Sequence, residues 1–159
     1  MATTLSSATM TVRVVESIKL NGTEQGAVNT TAFSGINEIS KRILTITTAE
    51  SVIATFSAAV ASAGHYVAAD VRYMRFTNKD DTNFITLTFR NQDNDEVAIK
   101  LDAGQSFMWA ADNSGGMVDV FNATQDADAA SDTALGDLTN IQADANTASC
   151  DLEMFIASV

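Results

Sequence analysis

From Val71 to Ala110 the chain reads VRYMRFTNKDDTNFITLTFRNQDNDEVAIKLDAGQSFMWA, in which short apolar runs alternate with polar knots. Val71–Thr77, Phe84–Arg90, Glu96–Leu101 and Ser106–Ala110 are rich in Val, Ile, Thr, Phe and Tyr and predict strands. The knots at Asn78–Asp81, Asn91–Asp95 and Asp102–Gly104 predict turns, because Asn and Asp hydrogen-bond their own backbone and Gly tolerates left-handed angles. Alternation gives each strand two faces. Ile85, Leu87 and Phe89 oppose Thr86, Thr88 and Arg90, and Met74 and Phe76 oppose Tyr73, Arg75 and Thr77. The expectation is an antiparallel meander with one wet face.

The same pattern extends in both directions. Met1 to Thr9 is small and polar without period, and predicts a flexible arm over residues 1–9. Met10–Leu20 alternates as a first strand, up to the strong turn signal Asn21-Gly22. Gly26–Asn37 predicts a loop, with Val28, Phe33 and Ile36 tucked under the core. Lys41–Thr47 predicts a second strand. Thr47–Ala63 supports two readings. Thr47 with Glu50 fits a helical capping box, and Val52, Phe56, Val60 and Ala63 recur near helical spacing. Alternatively Ser51–Ser57 is a strand, in which Val52, Ala54 and Phe56 alternate with Ile53 and Thr55. Beyond the meander, Met117–Phe121 predicts a short strand, Asn122–Ala134 an exposed loop, and Leu135–Ala145 a short strand or a turn of helix. Cys150–Ala157 predicts a closing strand. Eight or nine strands without internal repeat place residues 10–159 in one all-β domain, a single antiparallel β-sandwich of jelly-roll type.

Charge adds an asymmetry. Residues 1–100 hold all 9 Lys and Arg and 10 of the 20 Asp and Glu, a net −1, whereas residues 101–159 hold 10 acids and no base. A net −11 repels nucleic-acid phosphates and keeps the chain soluble. The C-terminal half is expected to face bulk solvent or a basic partner. No apolar run approaches a membrane span, and the N-terminus lacks the basic and apolar regions of a signal peptide. Proline is absent altogether, which suits sheet edges that an assembly covers.

No catalytic motif emerges. The single cysteine, Cys150, lies in an apolar strand pattern and reads as an inert buried thiol. The single histidine, His65, stands beside a turn without a second ligand or a partner nucleophile. Asp126-x-Asp128-x-x-x-Asp132 and Asn91-x-Asp93-x-Asp95 have part of a calcium-loop spacing but lack its glycine. Gly115-Gly116 has no following Lys-Ser/Thr. Trp109, beside Phe107 and Met108, reads as core more readily than as a sugar platform. The expectation is a protein that is not an enzyme and has neither cofactor nor metal.

Three segments carry a resemblance: INEISKRILTITTAES (Ile36–Ser51), VRYMRFTNKDDTNFITL (Val71–Leu87) and GDLTNIQADANTASCDLEMFIAS (Gly136–Ser158). The turn from Arg75 to Phe84 is the most distinctive part, followed by EVAIKLDAGQSF. Together they resemble small β-sandwich virion proteins of tailed bacteriophages of the marine and cyanobacterial kind. The resemblance implies a strand at Ser51–Ser57 and a structural role, foremost as a capsid decoration or cement protein. It implies the major capsid protein as partner, self-association as trimer or dimer, and a place on the virion exterior. On that reading the arm, with Leu5 and Met10, and the cations Arg72, Arg75 and Lys79 contact the shell. The alternatives are a receptor- or glycan-binding module using Trp109 or Tyr66, and a tail or neck component.

Overall fold

The computed structural model describes residues 5–59, 64–111, 115–117 and 138–159. Among them the strands are β1 (Ala8–Val15), β2 (Lys19–Leu20), β3 (Thr23–Glu24), β4 (Val28–Ile36), β5 (Glu38–Ile46), β6 (Ser51–Ser57), β7 (His65–Val67), β8 (Val71–Asn78), β9 (Ile85–Asn91), β10 (Glu96–Leu101), β11 (Ser106–Ala110), β12 (Leu138–Ala145) and β13 (Cys150–Ser158). Two sheets form the body, a four-stranded one in the order β11-β8-β13-β5 and a five-stranded one in the order β10-β9-β12-β6-β7. Each of the neighbours β5/β6, β8/β9, β10/β11 and β12/β13 divides its two strands between the sheets. With β7 set aside, this is the eight-stranded jelly roll. Strand β7 extends the five-stranded sheet by a short parallel pairing, Thr55↔His65 to Ser57↔Val67.

The central segment is therefore not a meander. β9 and β10 form a hairpin in one sheet, while β8 and β11 pair with each other in the other. The connections after Asn78 and Leu101 pass between sheets. Turn residues signal that the chain reverses, but they do not specify whether it returns within its own sheet or in the facing one. Ser51–Ser57 is a strand, antiparallel to β12 from Thr55↔Asn140 to Ser51↔Ala143. The helical spacing there gives way to the burial of Ala54 and Phe56 on one pleated face. Leu138–Ala145 is likewise a strand, between β6 and β9. Residues 118–121 of the expected strand Met117–Phe121, and the loop 122–134, lie outside the described residues.

The core lies between the sheets. Met74 and Phe76 from β8 and Leu152, Met154 and Ile156 from β13 face Ile85, Leu87 and Phe89 from β9 and Ile141 from β12. Phe89 ties the layers together, 5.3 Å from Trp109 and 6.3 Å from Phe76 with edge-on ring geometry. Aromatic pairs of this kind add about 0.5–1.5 kcal/mol beyond the area they bury.

The N-terminal region departs from the expected loop. Val28–Ile36 is a strand that pairs with β1 from Val15↔Val28 to Ala8↔Ile36. β1 begins at Ala8, so it takes in the last residues of the expected arm and ends at Val15 rather than Leu20. The polar run Asn29-Thr30-Thr31 hides the strand in the sequence, but the backbone ladder to β1 needs no apolar side chain. The ladder continues outwards through Glu16 N–H to Ala27 O at 2.8 Å and Gln25 N–H to Ile18 O at 2.8 Å. It ends in the β2–β3 pair, closed by Asn21 (φ 50°) and Gly22 (φ 82°), both left-handed as a type I′ turn requires. One long two-stranded ribbon thus precedes the jelly roll.

Candidate assembly surface

The ribbon packs on the outer face of the four-stranded sheet. Its inward side chains are Met10 and Val12 from β1 and Phe33 from β4, with Ile36 at its base. They meet Tyr73, Phe155, Ala157 and Val159. The Tyr73 ring lies 6.0 Å from both Phe33 and Phe155. Burial under the ribbon pushes the Tyr73 hydroxyl pKa up, and the charge of Arg75 opposes this. Gly35 (φ +80°) lets the ribbon turn down onto the sheet; a Cβ there would stand 3.4 Å from the Val159 side chain. Further out, Val12, Val14 and Thr31 share a cavity wall with Met108 and Ala110 of β11. The ribbon therefore crosses β13, β8 and β11 in turn and continues past the β11 edge.

Beyond that edge no side chain among the described residues buries it. Val15 (60% exposed), Ile18 (57%), Leu20 (63%) and Val28 (52%) are all open to solvent. A two-stranded ribbon in water is marginal unless one face is covered. At the opposite edge of the same sheet, β5 pairs with β13 through an unbroken register from Glu38↔Ser158 to Ile46↔Cys150. Its other side has no strand among the described residues, and its outer face exposes Ile39 and Ile43. Lys41 lies between them, 3.5 Å from Glu153.

The five residues singled out from the sequence do not converge. Leu5, ahead of β1, is exposed. Met10 is half-buried and turned to the sheet, where it lines a groove with Tyr73, Arg75 and Phe155. Arg75 supplies the cation of that groove, and it donates to Glu153 and to Thr77 Oγ1, both at 2.5 Å. This hydrogen bond, then the charges of Arg75 and Lys41, hold the Glu153 carboxyl below its ordinary range. Arg72 is buried, and its guanidinium donates to the Ala69 carbonyl at 2.6 Å. Lys79 is exposed at the start of the β8–β9 connection, where its N–H binds Asp151 O at the other end of β13 from Ala157. Only Met10 and Arg75 are brought together. The reading from charge and position passed over the outer ribbon and β5. Its available signal was the persistence of aliphatic residues after Val15, where alternation lapses.

The polar knots are structural. Asn91 Oδ1 accepts the N–H groups of Asp93 and Asp95 at 2.9 and 2.8 Å, so that Asn91-x-Asp93-x-Asp95 is an organised turn. Among the described residues no group of three or more His, Cys, Asp or Glu is placed to hold a metal ion; the window Asp126 to Asp137 lies outside them. Trp109 is half-buried against Phe89, and Tyr66 is buried, its hydroxyl donating to Ser40 and accepting from Arg42. Cys150 is buried and free; burial, then the carboxylate of Asp80, push its thiol pKa up.

No family model matches the chain, and no curated protein matches it in sequence. A solved structure from work entitled "Bacillus endospore appendages form a novel family of disulfide-linked pili" is similar over 77% of this chain and 85% of its own, at 9% identity and a TM-score of 0.41. At those values the likeness assigns neither a family nor a role to this chain.

Proposed function

We propose that this protein is a non-enzymatic structural component of a tailed-bacteriophage virion, bound in many copies to the outside of the capsid as a decoration or cement protein. The observation that carries the reading is the outer ribbon. Ile18 and Leu20, which continue the inward face of Val12 and Val14, and Val15 and Val28 on the opposite face are held out on a ribbon whose base is anchored to a packed sandwich, and aliphatic groups so exposed mark a surface that another surface covers. Fully burying one such side chain is worth roughly 1.5–3 kcal/mol. The resemblance of Ile36–Ser51, Val71–Leu87 and Gly136–Ser158 to phage virion proteins supplies the particle, and the major capsid protein is the partner it implies. Each contact need only be modest, because many are made at once. Leu5 and Lys79, both exposed, are the residues of the predicted set that are open to a shell. The net −11 of the chain keeps such particles apart in solution.

Cryo-electron microscopy of the particle that carries this protein tests the proposal. Density repeated at symmetry-related sites over the shell is expected, with the sandwich outermost. Density confined to the tail or fibres overturns the capsid assignment in favour of a tail component or receptor-binding module. Absence from the particle overturns the virion role. Lys79→Glu should lower shell occupancy without unfolding the protein, because Lys79 is exposed. Arg72→Glu cannot serve as that probe, since it would place an acid against the Ala69 carbonyl inside the fold.

A further inference from the structure

We propose that copies of this chain join head to tail, with the outer ribbon of one copy lying over the exposed outer face of β5 in the next. The four-stranded sheet has two open edges among its described strands, β11 and β5. The ribbon overhangs the first. Val12, Val14 and Thr31 stand over Met108 and Ala110, and everything from Val15 to Val28 lies further out. The second edge carries Ile39 and Ile43, 59% and 64% exposed, on the face along which the ribbon runs. Among the described residues, one copy therefore has a cover with nothing beneath it, and the other end of the same sheet has an apolar face with no cover.

The ribbon cannot meet this need within its own chain. β4 passes into β5 through Asn37 alone, and Asn37 N–H is fixed to Ser158 O at 3.0 Å. From there the ribbon runs across β13 and β8, away from β5. A second copy displaced along the sheet, by the width of its strands, places its β5 beneath the overhang. Strand directions agree. Every pairing in the order β11-β8-β13-β5 is antiparallel, so β11 of one copy and β5 of the next would also meet antiparallel, and the sheet can continue across the junction.

Charge favours the same contact. Residues 1–46, which hold the ribbon and β5, carry 4 bases and 3 acids, while residues 47–159 carry 5 bases and 17 acids. β11, Ser106–Ala110, has no charged residue. The segments that would touch are those free of the repulsive excess, and Lys41, between the two isoleucines, would meet a ribbon bearing Glu16 and Glu24. The two surfaces are different, so the contact is heterologous, and repetition yields a ring or an open chain.

The contact does not depend on a capsid, so purified full-length protein tests it. Leu20→Cys and Ile43→Cys are made separately at exposed positions, mixed, and oxidised mildly with oxidised glutathione. The expected result is a disulfide-linked pair in the mixture, at least tenfold more abundant than in either variant alone. Sedimentation should show a mass rising with concentration, and Ile39→Lys with Ile43→Lys should weaken association at least tenfold with an unchanged circular dichroism spectrum. Cross-linking of Leu20→Cys with itself as readily as with its partner would mean a symmetric ribbon-to-ribbon contact and overturns the proposal. A monomer at every concentration overturns it as well, and leaves the capsid assignment standing.

Discussion

The side-chain amide of Asn78 makes three hydrogen bonds at a fully buried position. It donates to Asn83 O at 2.8 Å and to Leu101 O at 3.1 Å, and accepts from Asp80 N–H at 3.0 Å. Asp80 in turn accepts the N–H groups of Thr82 and Asn83 at 2.8 and 2.6 Å. These residues hold the crossing from one sheet to the other. Asn78→Ala leaves the buried Leu101 carbonyl, the half-buried Asn83 carbonyl and the Asp80 N–H without that partner, so it should cost about 2–3 kcal/mol, read as a lower urea midpoint; an unchanged midpoint would refute the role. The N–H groups of Asn83, then Thr82, hold the Asp80 carboxyl below its usual range, as Arg75 does for Glu153. Both folded pKa values lie below the unfolded ones. Their stabilisation is complete above the unfolded carboxylate range, around pH 4, and is lost as pH falls through the folded values. A urea midpoint that declines chiefly below about pH 4, and declines less in Asp80→Asn, is the expected outcome; a midpoint flat down to pH 2 would contradict it.

At the scale of elements, the ribbon has two halves with opposite energetics. The inner half is held by Phe33 and Ile36 on Tyr73 and Ala157. Phe33→Ala should cost about 3–5 kcal/mol, as for other buried aromatic side chains. Replacing residues 16–27 with a two-residue turn removes only exposed side chains, and should move the melting temperature by no more than a few degrees. A large loss of stability on that truncation would mean that the outer half packs on the body. The strands legible in the sequence were those with clean alternation: Glu96–Leu101 and Ser106–Ala110 match to the residue, and Cys150–Ala157 falls one short. Val28–Ile36 was hidden because Asn29, Thr30 and Thr31 contribute backbone, not hydrophobicity. Ser51–Ser57 was ambiguous because Val52, Phe56 and Val60 satisfy a helical period locally, and only pairing with β12, more than eighty residues later, decides it. Arg72 was legible but misplaced. It shares the parity of Met74 and Phe76, so alternation alone puts it on the inner side of β8.

For the whole molecule, the acidic excess and the apolar ribbon oppose each other. Like-charged bodies repel over a Debye length of about 10 Å at 0.1 M salt and about 3 Å at 1 M. Self-association should therefore strengthen between 50 mM and 500 mM sodium chloride. Weakening over that range would show that ion pairs, rather than the aliphatic side chains, dominate the contact. The sandwich class was legible because strand number and turn spacing are local properties. The surface that matters was not, because it arises where a ribbon from the first quarter of the chain crosses strands from the middle and the end.

The register of β5 with β13 also governs the order of events during synthesis. Glu38 finds its partner in Ser158, and Ile46 in Cys150. At 5–20 residues per second a ribosome takes roughly 5–25 seconds to pass from one strand to the other. For that interval β5 has no strand beside it among the described residues, and Phe33 and Ile36 lack the part of their floor that Phe155 and Ala157 supply. The nascent chain thus carries its stickiest segment longest, and overexpression should send it to inclusion bodies more readily at high synthesis rates than at low ones.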